Sequence, residues 1–219
     1  MPAIKHAIIT AAGIGSRLGM NLPKCLVPVA GRCIIDYQLA LLETIEDLRV
    51  VIGFRRELVI QHVKTARPDA IFVCNHQYAT TTTLQSLYLG TKGLDDPFLV
   101  IDGDVIPEPH SFRRFLAACE RDMPLTAIAP AASTDAVYAT VNSEEGLLTA
   151  FTRAPGSPWE WPGISYLPPS MIEDKKTFVY QQLERYLPMK VLPIECWEVD
   201  APGDLVRAAE QLGHDRTVS

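Results

Sequence analysis

Through its first 130 residues the chain repeats one pattern. A short unbroken apolar run is followed by a longer stretch whose apolar positions recur every three or four residues. The runs at 7–11, 48–52, 70–74, 98–101 and 125–129 have the length and composition of buried strands. The stretches 34–45, 57–66, 83–91 and 111–121 carry helical spacing. Continuous apolar strands alternating with helices predict a mostly parallel sheet covered on both faces. With right-handed crossovers this is a Rossmann-like, doubly wound α/β fold.

The rhythm changes after Pro130. Residues 137–141 and 147–151 flank a turn at 142–146 and read as a hairpin. A loop rich in Pro, Gly and Trp fills 153–163, and 163–166 and 190–194 read as strands. A helix falls within 168–186, and 202–213 is a helix opened by Pro202 and closed by Gly213. No repeat or linker divides the chain. The expectation is a single domain over 1–219, in which 131–219 adds a small β-rich elaboration to the 1–130 sheet.

Composition narrows the function classes. The 219 residues are 47% hydrophobic and 21% charged, ordinary values for a globular protein. A net charge of -6 argues against nucleic acid as a partner. No run approaches the roughly 20 apolar residues of a membrane span, and the start does not read as a signal peptide. A cytoplasmic protein with no membrane partner is expected. The five cysteines are scattered without a CxxC pair, which predicts neither disulfides nor zinc. The five histidines are dispersed and read as satisfied surface or loop residues.

Candidate chemistry begins directly after the first strand, at Ala11-Ala12-Gly13-Ile14-Gly15-Ser16-Arg17-Leu18, followed by Leu22-Pro23-Lys24. Ligands of open α/β sheets bind beyond the carboxyl ends of strands. Gly13 and Gly15 let the backbone turn and approach an anion, and successive N–H groups there form an anion-binding nest. Arg17 offers a planar, permanently charged phosphate donor, and Lys24 a movable point charge. The loop is neither a Walker A motif nor GxGxxG, since Leu18 takes the last glycine position. A second cluster, Ile101-Asp102-Gly103-Asp104, ends the strand at 98–101. Two carboxylates there repel unless a cation or donors compensate. Mg²⁺ takes one or two carboxylates with phosphate oxygens, a role for which Asp104 is placed. Asp200 lies at another strand end, where the residues alone equally suggest a helix cap.

The run 11–18 with 23–26 resembles the signature of sugar-phosphate-type nucleotidyltransferases, small NTP transferases of the GT-A type of fold. The resemblance implies that Ala11, Ala12, Gly13, Gly15 and Ser16 wrap the NTP phosphates. It implies that Arg17 holds the departing pyrophosphate and that Lys24 neutralises the α-phosphate. It pairs Asp104 with Asp200 as Mg²⁺ ligands. Asp102 reads equally as structural, and is otherwise a partial ligand or a support beside the nucleotide. Residues 1–130 then hold the nucleotide, and 131–219 hold the acceptor and the second metal aspartate. The acceptor attacks as a phosphate dianion, with a second pKa of about 6, so no general base is needed.

Beyond the loop the chain is similar to the small cytidylyltransferases serving phosphocholine and phosphonate pathways. The residues that carry this are Asn75, Tyr78, Ser86 to Leu89, Gly163 to Tyr166, and Glu198 to Asp200. It implies transfer of CMP from CTP to phosphocholine, 2-hydroxyethylphosphonate or a similar acceptor. Nucleotide contacts fall at Asn75, Thr82, Thr83 and Ser86, and acceptor contacts at Tyr78, Gly163, Ser165 and Tyr166. The threonines at 80–83 serve equally as a helix entry. Trp159, Trp161 and Tyr166 have the chemistry of a quaternary-ammonium cage and equally that of a packed loop. The chain departs from the phosphocholine enzymes before Val137-Tyr138, where their tryptophan is missing, and at 178–183, where their acidic residues are missing. Two other readings stay open: a sugar-1-phosphate nucleotidyltransferase using UTP, GTP or dTTP, and a non-catalytic nucleotide-binding regulator. A homodimer is also left open.

Overall fold

The computed structural model of the chain describes residues 4–119, 121–132 and 135–215, without the side chains of 16, 214 and 215. β1 (His6–Ala11) runs into short 3-10 turns at Ser16–Leu18 and Lys24–Leu26. The small ladder of β2 (Pro28–Val29) and β3 (Arg32–Cys33) leads into α1 (Ile34–Leu41). There follow β4 (Asp47–Ile52), α2 (Arg56–Ala66), β5 (Ile71–Cys74), α3 (Thr83–Thr91) and β6 (Phe98–Asp102). Next come β7 (Val105–Pro107), α4 (Pro109–Cys119) and β8 (Leu125–Pro130). The second half comprises β9 (Tyr138–Asn142), β10 (Leu147–Thr152), β11 (Trp159–Glu160), β12 (Ile164–Leu167), α5 (Val179–Leu183), β13 (Met189–Pro193), β14 (Cys196–Glu198) and α6 (Pro202–Asp215).

One 10-stranded sheet has the order β11-β9-β10-β13-β8-β12-β6-β1-β4-β5. β1 sits inside its parallel part, in register with β4 on one side and β6 on the other. The two-residue period of β1 divides the core. Ala7, Ile9 and Ala11 pack with Ile35, Leu39, Val59, Val63, Phe112 and Phe115 from α1, α2 and α4. Ile8 packs with Leu84, Leu87, Val179 and Leu183 from α3 and α5. Helices therefore cover both faces, as the apolar strands predict. A third, smaller core gathers Leu18, Val29, Ile34, Ile106, Val199 and Ala208 behind the first loop.

The expected mostly parallel order holds for β5-β4-β1-β6 and needs correction beyond β6. β12 lies antiparallel between β6 and β8, while β13 returns parallel to β8. β11 and β12 both run antiparallel to β8, Trp159 opposite Pro130 and Tyr166 opposite Leu125, so β12 continues the direction of β11 across Trp161-Pro162-Gly163. β12 enters at the carboxyl end of β6, with Ile164 opposite Ile101, which brings Gly163 there. The β-rich second half extends this same sheet. Among the described residues no helix is long and apolar enough to cross a membrane.

Candidate active site

The carboxyl ends of β1 and β6 meet beneath the first loop. Thr10 pairs with Asp102 across the two strands, and its hydroxyl donates to Asp102 Oδ1 at 2.6 Å. The buried Gln38 amide of α1 donates to the carbonyls of Asp102 and Val105, at 2.8 and 2.7 Å, and clamps the turn between β6 and β7. Above it the chain reverses at Gly15, whose φ of +63° is costly for other residues. A Leu18 N–H bond to Gly15 O at 3.1 Å closes the turn. Pro23 precedes the 3-10 turn of Lys24–Leu26, which aims Lys24 back at the strand ends.

Sequence spacing could not bring Asp104 and Asp200 together; a two-stranded ladder does. β7 and β14 pair antiparallel, Val105 opposite Glu198, and Val199 N–H donates to Asp104 O at 3.0 Å. Carboxylate oxygens of Asp104, Glu198 and Asp200 come within 4.8 Å of one another. Lys24 Nζ stands among them, 2.5 Å from Asp104 Oδ2 and hydrogen-bonded to Asp200 Oδ1. Burial disfavours the charged amine, but the two aspartates outweigh it and hold the Lys24 pKa above its usual value. Burial likewise opposes ionisation of Asp200, and Lys24 overrides it, leaving that carboxyl below its usual value. For Glu198 burial, then the charges of Asp104 and Asp200, outweigh the pull of Lys24 and push it up to about 9. Asp102 is pushed up to about 7 by burial and by Asp104, against the Thr10 hydrogen bond. Asp204, in the first turn of α6, accepts the N–H groups of Asp200 and Ala201 at 2.9 and 2.7 Å. Asp204, the third residue of α6, thus reaches back to the backbone ahead of the helix as the N3 acid of a capping box does, while the Asp200 carboxylate faces Lys24.

The site opens into a cleft of about 350 Å³. Its rim carries Arg17, which lies 3.2 Å from both Asp200 Oδ1 and Asp135 Oδ2. Beyond them Arg153, Trp161, Phe178 and Tyr180 line the far end.

Of the residues singled out from sequence, Gly13, Gly15, Arg17, Lys24, Thr83, Asp102, Asp104, Gly163 and Asp200 line this cleft. Ala11 lines a smaller hollow beside it. Ala12 is buried, and its carbonyl accepts Phe54 N–H at 3.2 Å. Ser16 begins a 3-10 turn, and its side chain lies outside the described residues. Asn75 and Ser86 are buried and bonded to each other at 2.9 Å. Thr82 caps α3, reciprocally bonded with Gln85 at 3.4 Å. Tyr78 packs over Gly53 and tilts against Phe54. Ser165 is fully buried, 2.7 Å from Thr126 Oγ1, and accepts from Trp161 Nε1 at 3.3 Å. Tyr166 packs into the core beneath α1, α2 and α4. Gly163, at a φ of +72°, comes so close to Asp102 that an added Cβ would overlap its carboxylate.

Sequence reasoning missed Glu198, Asp135, Arg153, Phe178 and Tyr180 as site residues. Glu198 had a signal: it stands two residues before Asp200, on the same face of an extended segment. Asp135 and Arg153 had none, since only the fold brings them to Arg17. Cys33, Asp36 and His62 form a second close group. There Asp36 already accepts Cys33 N–H at 3.0 Å and pairs with His62 Nε2 at 2.7 Å, which ties α1 to α2.

A profile of the MobA-like NTP transferase domain matches residues 7–189. Over 122 residues the chain is 36% identical to CMP-5'-(3-aminopropyl)phosphonate synthase of Streptomyces rubellomurinus, covering 52% of this chain and 19% of that protein. Over 115 residues it is 35% identical to choline-phosphate cytidylyltransferase of Streptococcus pneumoniae, covering 50% of this chain and 49% of that protein. The chain thus covers less than half the length of either curated relative. The solved inositol-1-phosphate CTP transferase from T. maritima superposes with a TM-score of 0.79 over 96% of both chains, at 19% identity, which shows a shared fold.

Proposed function

The chain belongs to the MobA-like NTP transferase family, and from that premise we propose that it transfers CMP from CTP to a small phosphate or phosphonate, releasing pyrophosphate. The observation that carries this reading is the meeting of Lys24 with Asp104, Asp200 and Glu198 beneath a glycine-rich loop that ends at Arg17. Two curated relatives named for CMP or cytidylyl transfer support the nucleotide, and the first of them supports a phosphonate acceptor. Within one domain, residues 1–130 would bind the nucleotide and 131–219 the acceptor. A cytoplasmic setting suits the five cysteines, none of them in a disulfide among the described residues.

Three hard carboxylate oxygen donors at strand ends, partly offset by Lys24 and Arg17, fit Mg²⁺ better than a softer metal. Asp104 and Asp200 would hold it, with Glu198 alongside. Bound there, Mg²⁺ supplies charge neutralisation to the phosphates. The chain's own groups do the rest. Lys24 neutralises charge developing at the α-phosphorus, and Arg17 holds the pyrophosphate as it leaves. Backbone N–H groups of the Gly13–Gly15 turn orient the phosphates for in-line attack. The acceptor is a dianion near neutral pH, so no side chain has to remove a proton.

Pyrophosphate release with MgCl₂ tests this, crossing CTP, UTP, GTP, ATP and dTTP against 2-hydroxyethylphosphonate, 2-aminoethylphosphonate, phosphocholine, inositol-1-phosphate and glucose-1-phosphate. Release with CTP and a small non-sugar acceptor is the expected result. Release only with glucose-1-phosphate and another NTP moves the chain to sugar-nucleotide synthesis, and silence throughout contradicts nucleotidyl transfer.

A further inference from the structure

The far end of the cleft is aromatic. Phe178 is half exposed and stacks on Tyr180, with centroids 5.9 Å apart. Phe151 meets both Tyr180 and Trp161 edge-on. Ring faces are electronegative, so such a wall attracts a ligand ammonium. In this chain a cation of its own already occupies that position. The Arg153 guanidinium lies over the Tyr180 ring, 5.6 Å from its centroid. It is tethered there by a hydrogen bond to the Asp135 carbonyl and by the Asp135 carboxylate at 3.6 Å.

Asp135 is shared between Arg153 and Arg17. The other acidic residues described as lining the cleft, Asp102, Asp104, Glu198 and Asp200, belong to the Lys24 end. Arg17 pairs with Asp200 as well as with Asp135, so the guanidinium that stands at the aromatic wall itself is that of Arg153, with Asp135 already engaged by both arginines. A cationic tail would meet like charge on the ring that should have received it, while a hydroxyl or anionic tail would find guanidinium N–H donors.

Resting on the nucleotidyl-transfer reading, we infer that Arg153 determines acceptor specificity by excluding cationic tails, so that the acceptor is a phosphate or phosphonate whose tail bears no positive charge. The amino and choline acceptors suggested by the relatives' names are therefore poor substrates for this chain. Specificity of this kind comes from a repulsive element built against the wrong ligand.

The test compares 2-hydroxyethyl phosphate, phosphoethanolamine and phosphocholine, which share a phosphate and differ in the tail. Each is measured with wild type, Arg153→Gln and Arg153→Ala, with CTP and MgCl₂. Arg153 is 44% exposed on its side chain, and a thermal melt confirms that the variants fold. Wild type is expected to favour the uncharged tail by about tenfold or more in kcat/KM, chiefly through KM. In Arg153→Gln that gap narrows to about threefold or less because the cationic acceptors improve. Equal use of all three by wild type overturns the inference, as does an unchanged gap in the variants. Calorimetric binding of the same compounds reads the selection without turnover. There, equal affinity for all three, or binding of none, overturns it, whereas silence in turnover alone counts against nucleotidyl transfer and not against this selection.

Discussion

At the residue scale Lys24 is the hub. Its amine touches two aspartates from separate strands, and its charge is held by them against burial. Lys24→Ala and Asp104→Ala should each lower kcat by about 10²- to 10³-fold, with circular dichroism and melting showing a retained fold. Near wild-type turnover in both contradicts these roles for the amine and the carboxylate. Gly163 supplies the structural counterpart. Its positive φ and its approach to Asp102 leave no room for a side chain. Gly163→Ala should destabilise the protein by about 2 kcal/mol or more in a denaturant titration. Arg17 and Lys24 were legible in the sequence because the loop that carries them is local. Asp135 and Arg153 were not, because their chemistry arises only where distant segments meet, and Glu198 was signalled only by its two-residue spacing from Asp200. Thr82 shows the opposite limit: a hydroxyl near a ligand loop and a hydroxyl that caps a helix look alike in sequence, and this one caps α3.

At the scale of elements, the ladder of β7 and β14 decides whether there is a site at all. Three residue pairs hold Asp104 against Asp200; the strand end before Asp200 showed in the sequence, but β7 is too short to stand out as an apolar run. The sequence showed the aspartates and not the ladder. Asp204 then locks the chain between β14 and α6 by accepting two backbone N–H groups. Asp204→Ala should cost about 1 kcal/mol, as a lost cap does. By loosening Asp200 it should also weaken Mg²⁺-dependent activity about 10- to 100-fold, read as a higher Mg²⁺ requirement. A loss of stability with an unchanged Mg²⁺ requirement would make Asp204 a cap and nothing more. At the opposite end of the sheet, Asp47 of β4 bonds Arg49 and His6 of β1. These partners prevail over burial and lower its pKa. A carboxyl with a lowered folded pKa adds stability above its unfolded value, about 3.9, and loses it as pH falls through the folded value. Asp47→Asn should therefore destabilise the protein at pH 6 and approach wild-type stability as the medium is acidified below pH 4, in melts across pH.

At the scale of the whole molecule, one mixed sheet with the β7–β14 ladder beside it brings Lys24, Asp102, Asp104, Gly163 and Asp200 to one cleft. The parallel half was legible because buried strands and amphipathic helices have different periods, and those periods are written locally. The direction of β12 was not, because a short apolar strand looks the same either way and its sense is set by pairing along β8 in line with β11. That antiparallel strand has a consequence: it brings Gly163 to Asp102 and carries the aromatic end of the second half to the phosphate loop. On the proposed reading, nucleotide and acceptor would face one another across a single cleft, which is what transfer between two bound substrates requires. The most direct test is ³¹P NMR of a reaction containing the protein, MgCl₂, CTP and 2-hydroxyethylphosphonate. Loss of the three CTP resonances, with pyrophosphate and a new mixed anhydride appearing in equal amounts, is the predicted result. Orthophosphate and CDP, or an unchanged CTP spectrum in that mixture and with the other acceptors, would contradict transfer of a nucleotidyl group at this site.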